Sequence, residues 1–125
     1  RRKDTRPGLM PATERYLSPR INRLARRARE NGRCFAILSG KFGLIDSQKP
    51  IPYYDKLLTE SDIEETVHKS SRFLKNNTID KIIFFLPDPE KDPHIDPYRR
   101  TIRRAADEAG TDLEIRYLPP YPLDL

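Results

Sequence analysis

The sequence predicts an α/β fold with a mainly parallel sheet and helices on both faces of that sheet. Three stretches with the apolar spacing of helices alternate with three short strand-like stretches, in the order α-β-α-β-α-β. The strongest strand, Ile82 to Leu86, contains no polar residue, as is typical of a central parallel strand covered on both sides. Right-handed crossovers join elements that alternate in this way. We expect one domain, residues 1–125.

The first helix is predicted to begin with Ser18 as its N-cap and Pro19 at its first position. Asn31-Gly32 ends it, because such residues tolerate the left-handed conformation that terminates helices. Residues 1–15 are polar and are predicted to be a loop or an extended segment, and we expect a further strand upstream of them. The inward face of the helix is predicted to comprise Ile21, Leu24, Ala25 and Ala28.

The other two helices carry similar start and stop signals. One begins near Ser61, where Ser-Asp-Ile-Glu has the spacing of a capping box, and ends at Asn76-Asn77. The other begins at Asp96-Pro97 and stops at Gly110. His68 is predicted to be an exposed residue of the earlier helix. The predicted inward residues are Ile63, Val67, Ser70, Leu74, Tyr98, Ile102, Ala105 and Ala109.

Two further strands complete the prediction. Cys34 to Leu38 is a short apolar run, in which Cys34 is predicted to be a buried small residue rather than a nucleophile. Leu113 to Leu118 alternates in polarity, which favours a strand nearer the sheet edge, and residues 119–125 form a proline-rich tail. The connection Ser39 to Thr59 is long for a strand-to-helix link, and such connections are usually functional or mobile.

Charge is distributed unevenly along the chain. The net charge is +5, yet residues 1–33 hold 11 basic against 3 acidic side chains, and ten of those 11 are arginine. Arginine forms bidentate contacts with phosphate, so a polyanion such as tRNA or DNA is a plausible partner. A solvated helix face with a basic leading segment explains the same pattern, and both explanations stay open.

Composition excludes several classes of protein and site. There is no apolar run long enough to cross a membrane and no signal-peptide pattern, so we expect a cytoplasmic protein without membrane contact. One cysteine and two scattered histidines make neither an intramolecular disulfide nor a convincing metal site. We expect no cofactor. A partner domain or a second copy of the chain stays open.

The strongest candidate site is the turn after the first strand, which includes Ser39, Gly40, Lys41 and Gly43. Ligands of open parallel sheets bind at the carboxyl ends of strands, where this turn is predicted to lie. Its backbone N–H groups, its hydroxyl and its ammonium group together suit a phosphate or carboxylate. It lacks the spacing of a P-loop, and the alternative is an ordinary turn with a solvated lysine. Second-tier candidates follow the central strand, namely Asp88 and His94.

Three segments together resemble a known but uncharacterised family. They are Tyr-Leu-Ser-Pro-Arg-Ile from Tyr16, Ile-Leu-Ser-Gly-Lys-Phe-Gly-Leu-Ile from Ile37, and Ile-Pro-Tyr-Tyr-Asp from Ile51. The family is a Rossmann-like domain of unknown function whose members read "ILSAKHGLL" and "PYD". It is distantly similar to the archaeosine synthase core and to the uracil-DNA-glycosylase-like and YaaA-like folds. The resemblance covers roughly residues 15–110, and Phe42 stands where relatives often have His.

The resemblance implies a three-layer Rossmann-like fold and work on nucleobases, nucleotides or nucleic acid. The first hypothesis is an enzyme of the base-modification or N-glycosidic-bond class. In it, Lys41 neutralises developing negative charge and Asp55 acts as general base or orients a hydroxyl. Substrate or anion binding falls to Tyr16, Ser18, Ser39, Gly40, Gly43 and Tyr54.

Two other hypotheses stand beside the enzyme. One is a non-catalytic nucleic-acid-binding module whose affinity comes from phosphate contacts and falls with salt. The other is a degenerate family member with a structural or interaction role, which the Phe42 departure favours. The nucleic-acid surface would comprise Arg20, Arg23, Arg26, Arg27, Arg99, Arg100 and Arg103.

Overall fold

The computed structural model describes residues 8–11, 19–52, 56–87, 90 and 92–118. Helices and strands are mixed along this part of the chain, so the α/β prediction is confirmed at that level. The elements are β1 (Met10–Pro11), α1 (Pro19–Glu30), β2 (Ala36–Ser39), β3 (Gly43–Asp46), β4 (Pro50–Ile51), a 3₁₀ turn (Glu60–Asp62), α2 (Ile63–Asn76), β5 (Lys81–Pro87), a 3₁₀ turn (Pro93–Ile95), α3 (Asp96–Ala109) and β6 (Asp112–Leu118).

The described residues fall into two compact units. The first holds β1, α1, β4 and the base of the β2–β3 hairpin. In it, β1 pairs antiparallel with β4, with Met10 opposite Ile51. Helix α1 ends as its sequence predicts, since Gly32 has a φ of 67° and the Arg33 N–H donates to the Ala28 carbonyl at 2.8 Å.

The second unit contains a βαβ motif. Strands β5 and β6 are parallel and in register from Lys81 opposite Asp112 to Pro87 opposite Leu118. Helix α3 connects them and packs against α2. Gly110 takes a φ of 70° just after α3, which lets the chain leave the helix toward β6. Two helices, two strands and their parallel pairing therefore agree with the sequence-based prediction.

The core of the second unit lies between α2 and α3. Val67, Leu74, Ile102 and Ala105 are all almost completely buried. The predicted inward faces are therefore confirmed at these positions. Strand β5 differs from expectation, because residues 82–85 are only partly buried, whereas a strand covered on both sides would be fully buried.

Residues 39–59 were expected to link a strand directly to a helix, and this prediction is wrong. The chain turns back after β2 and forms β3, which pairs with β2 across a three-residue turn. Such a short connection permits only an antiparallel hairpin. Cys34 also differs from its prediction, because it lies before β2 begins and is exposed.

The capping box before α2 begins at Thr59, two residues earlier than the Ser61 prediction. The Asp62 carboxylate accepts hydrogen bonds from the Thr59 hydroxyl at 2.8 Å and from the Thr59 backbone N–H at 3.3 Å. The 3₁₀ turn Glu60–Asp62 precedes the helix, so Ser61 lies inside this turn and does not cap it. Glu64, the expected partner of Ser61, instead binds Arg104.

Candidate functional site

The hydroxyl of Ser39 organises the tip of the β2–β3 hairpin. Ser39 is fully buried, and its Oγ accepts hydrogen bonds from the backbone N–H groups of Lys41 at 3.1 Å and Phe42 at 3.0 Å. Two backbone amides of the predicted anion-binding turn are therefore directed at a side chain of the turn itself. A ligand would have to displace these bonds to use the same amides.

The two glycines of the turn make close contacts with the protein rather than leaving open space. A Cβ on Gly40 would lie 2.6 Å from the Lys56 carbonyl oxygen and 2.9 Å from the Leu58 nitrogen. Gly43 has a φ of 74°, and a Cβ there would lie 3.0 Å from the Lys69 Cβ. Gly40 is required because backbone of the same unit packs against it, and Gly43 is required by its positive φ and by the nearby side chains of Lys69 and Ser70.

Two lysines lie at this turn. Lys41 is exposed, and its Nζ lies 5.4 Å from the centroid of the Phe42 ring. Lys69 donates from Nζ to the Lys41 carbonyl at 3.3 Å and forms an ion pair with Glu65 at 3.2 Å. Lys69 was not predicted as a site residue, because nothing in the local pattern indicates a contact across 28 residues. Lys69 therefore adds a second ammonium group to the turn, together with the Glu65 carboxylate that pairs with it.

Several predicted site residues lie outside the described residues, so their positions are not assigned. They are Tyr16, Ser18, Tyr54, Asp55 and Asp88. His94 is described and lies exposed in the 3₁₀ turn before α3, where its backbone N–H donates to the Asp92 carboxylate at 3.1 Å. The structure thus brings together Ser39, Gly40, Lys41 and Gly43, and adds Lys69 to them.

Three of the four arginines of α3 are engaged in ion pairs. Arg100 binds the Glu60 carboxylate through both terminal nitrogens, with Nη1 2.8 Å from Oε2. Arg104 donates to Glu64 at 2.6 Å, and Arg99 pairs with Asp96. These hydrogen bonds lower the pKa of Glu60 and of Glu64 and raise the pKa of both partner arginines.

Of the predicted nucleic-acid surface on α3, only Arg103 is exposed and without an ion pair among the described residues. Arg99 and Arg100 already have carboxylate partners, so a phosphate would compete with Asp96 and Glu60 for them. The predicted α3 surface is therefore largely neutralised.

The arginines of α1 have a different environment. Arg26, Arg27, Arg29 and Arg33 are exposed, and within the described ranges none of them pairs with a carboxylate. Arg23 is partly buried and has a contact of its own, and the side chain of Arg20 lies outside the described residues. The helix contains a single acidic residue, Glu30. The α1 arginine face, defined as Arg26, Arg27 and Arg29 of the helix and Arg33 just after it, is thus a cationic surface without carboxylate partners among the described residues.

Among the described residues, no group of three or more His, Cys, Asp or Glu side chains is arranged to hold a metal ion. No helix in the same ranges combines the length and apolar character needed to cross a bilayer.

Comparison with known proteins gives no relatives: no protein-family model, no curated protein and no solved structure matches this chain.

Proposed function

We propose that this protein binds nucleic acid through the α1 arginine face. The observation that supports this proposal is that Arg26, Arg27, Arg29 and Arg33 are exposed without carboxylate partners among the described residues. An unpaired guanidinium binds phosphate bidentately and gains the free energy of released counterions. Arg100 and Arg104 of α3 would first have to release Glu60 and Glu64. The guanidinium groups of α1 are therefore available to phosphate, whereas these two of α3 pair with carboxylates.

The expected mode of binding is electrostatic. Guanidinium groups that contact phosphates position the nucleic acid but carry no sequence information. We therefore expect similar affinity for tRNA and for duplex DNA of unrelated sequences, with a steep dependence on salt.

Fluorescence anisotropy with labelled duplex DNA and tRNA tests this proposal. The variant Arg26→Ala/Arg29→Ala removes two arginines that are three residues apart and share one side of α1. It should weaken binding and reduce the slope of log K against log salt by about 0.9 for each phosphate contact that is lost.

The matched control is Arg100→Ala/Arg104→Ala, which lowers the net charge by the same amount but removes arginines that are already paired. Circular dichroism establishes that both variants keep their helices. The control should bind nearly as well as the wild-type protein. Equal losses in the two variants, or no wild-type binding at low salt, would overturn the proposal.

The hairpin turn supports a second candidate, a nucleotide-handling enzyme. Lys41 belongs to this turn and the Lys69 ammonium donates to its backbone carbonyl, so two ammonium groups are available at the turn to hold a phosphate or stabilise developing negative charge. Asp55 would act as general base, and Tyr16 or Tyr54 would stack on the base. A rise in the melting temperature with nucleotides, lost in Lys41→Ala, would favour this function over polymer binding. If the protein is instead a degenerate family member with a structural role, neither nucleic-acid binding nor stabilisation by nucleotides is expected.

We further propose that the βαβ motif belongs to a three-layer Rossmann-like domain of the family that the sequence resembles. The parallel β5–β6 pair and its helical crossover support this assignment. A cytoplasmic location is proposed with it.

A further inference from the structure

A groove of about 230 Å³ lies on the second unit, along α2 and beside the end of α3. Its existence follows from the lengths of the two helices. Helix α3 ends at Ala109 and the chain turns away at Gly110, while α2 continues to Asn76. Helix α3 therefore does not flank the last turns of α2. The lining residues are His68, Ser71, Arg72, Lys75, Asn76 and Glu108.

The register of α2 and α3 explains why charges in the groove are not neutralised. The pairs Glu60–Arg100 and Glu64–Arg104 each join residues 40 apart, so the two helices run side by side in the same direction. The next positions in this series are His68 and Glu108, which line opposite walls of the groove. Beyond them α3 supplies no carboxylate. Arg72 and Lys75 therefore pair with no acid among the described residues.

The groove combines hydrogen-bond donors on one wall with an acceptor on the other. His68, Arg72 and Lys75 are spaced i, i+4, i+7, which places them on one side of α2. The Ser71 hydroxyl and the Asn76 amide lie among them and can also donate. Glu108 faces them from α3. Cationic donors suit the oxygens of a phosphate, whereas a carboxylate accepts hydrogen bonds from sugar hydroxyls.

We propose that this groove binds a small phosphate monoester with a hydroxyl-bearing organic part. Arg72 and Lys75 hold the phosphate, and Glu108 accepts from a hydroxyl. The site is distinct from the α1 arginine face and does not depend on nucleic-acid binding.

Isothermal titration with inorganic phosphate and with adenosine monophosphate, at constant ionic strength, tests the site. Arg72→Ala/Lys75→Ala should weaken binding of both probes by about tenfold or more, as expected for the loss of charge-assisted contacts. Lys49→Ala/Lys81→Ala removes the same charge at exposed residues that belong to neither proposed site and should leave both affinities unchanged. Equal affinities in all three proteins, or no binding by the wild-type protein, would overturn the proposal.

Glu108→Gln tests the hydroxyl-binding part of the site independently of the phosphate-binding part. Removing the carboxylate lowers the repulsion of inorganic phosphate, so the affinity for inorganic phosphate should rise. The affinity for adenosine monophosphate should fall, because the acceptor for its hydroxyl is lost. A change in the same direction for both probes contradicts the role assigned to Glu108. Retained nucleic-acid binding by Arg72→Ala/Lys75→Ala would show that groove and α1 act separately.

Discussion

At the residue scale, Gly40 shows how closely the hairpin tip fits its surroundings. A methyl group there would lie 2.6 Å from a carbonyl oxygen of the backbone, so no side-chain rotation could relieve the contact. The turn must move away from residues 56–58, or those residues must move. Ser39 depends on the same geometry, because its buried hydroxyl accepts hydrogen bonds from the backbone N–H groups of Lys41 and Phe42 at the tip.

We expect Gly40→Ala to lower the free energy of unfolding by about 1 to 3 kcal/mol, the usual cost of overpacking. Urea denaturation measures the change. Lys41→Ala is the matched control, because its exposed side chain should be removed with little effect on stability. A Gly40→Ala protein as stable as the wild type would contradict the close contact.

At the element scale, two ion pairs join α3 to the first turn of α2 and to the 3₁₀ turn that precedes it. Glu60 and Glu64 supply the carboxylates and Arg100 and Arg104 the guanidinium groups. Exposed pairs of this kind contribute little individually and are screened by salt. Their clearer effect is to fix the register of one helix against the other.

These pairs predict a pH dependence of stability with a definite sign. Pairing lowers the pKa of Glu60 and Glu64 in the folded protein, so their contribution is present above the unfolded pKa. It is lost as the pH falls through the lowered folded-state values. Wild-type protein should exceed Glu60→Gln/Glu64→Gln in stability at neutral pH, and the difference should shrink below pH 4.5.

Chemical denaturation over a pH series measures this difference at low salt. Glu30→Gln provides a control, since Glu30 is exposed and has no ion pair within the described ranges. It should show no comparable difference from the wild type at any pH. A gap that persists unchanged in acid would contradict the ion-pair explanation.

At the scale of the whole molecule, the described residues form two compact units rather than one uniform body. The buried residues of α2 and α3, including Val67, Leu74 and Ile102, belong to the second unit. Regions with dense buried contacts open least often. The prediction of one domain for residues 1–125 can therefore be tested by asking whether the two units unfold cooperatively.

Native-state hydrogen exchange should show the slowest amides in α2, α3, β5 and β6. Amides of α1 and of the β1–β4 pair should exchange through a separate opening of lower free energy. Mass spectrometry of peptides from the two units measures both. A single common opening free energy for all protected amides would instead support one cooperative domain.

The elements that could be predicted from the sequence are those with local signals. The ends of α1 and α3 follow from Gly32 and Gly110, and the β5 run is recognisable without its neighbours. The hairpin was missed because a glycine turn after a strand is equally compatible with a helix to follow. The Arg100–Glu60 and Lys69–Lys41 contacts span 40 and 28 residues, so no local pattern contains them.

The constant spacing of the α2–α3 ion pairs has a consequence for how the sequence can change over evolution. The attraction within each pair depends on the product of two charges and not on which helix carries the acid. Replacing Glu64 by arginine is unfavourable alone but acceptable when Arg104 becomes glutamate. In descendants of this chain, substitutions that reverse the charge at one residue of a pair should be accompanied by the opposite reversal 40 residues away. Such coupled substitutions would reveal the pairing of the two helices even where neither residue is conserved.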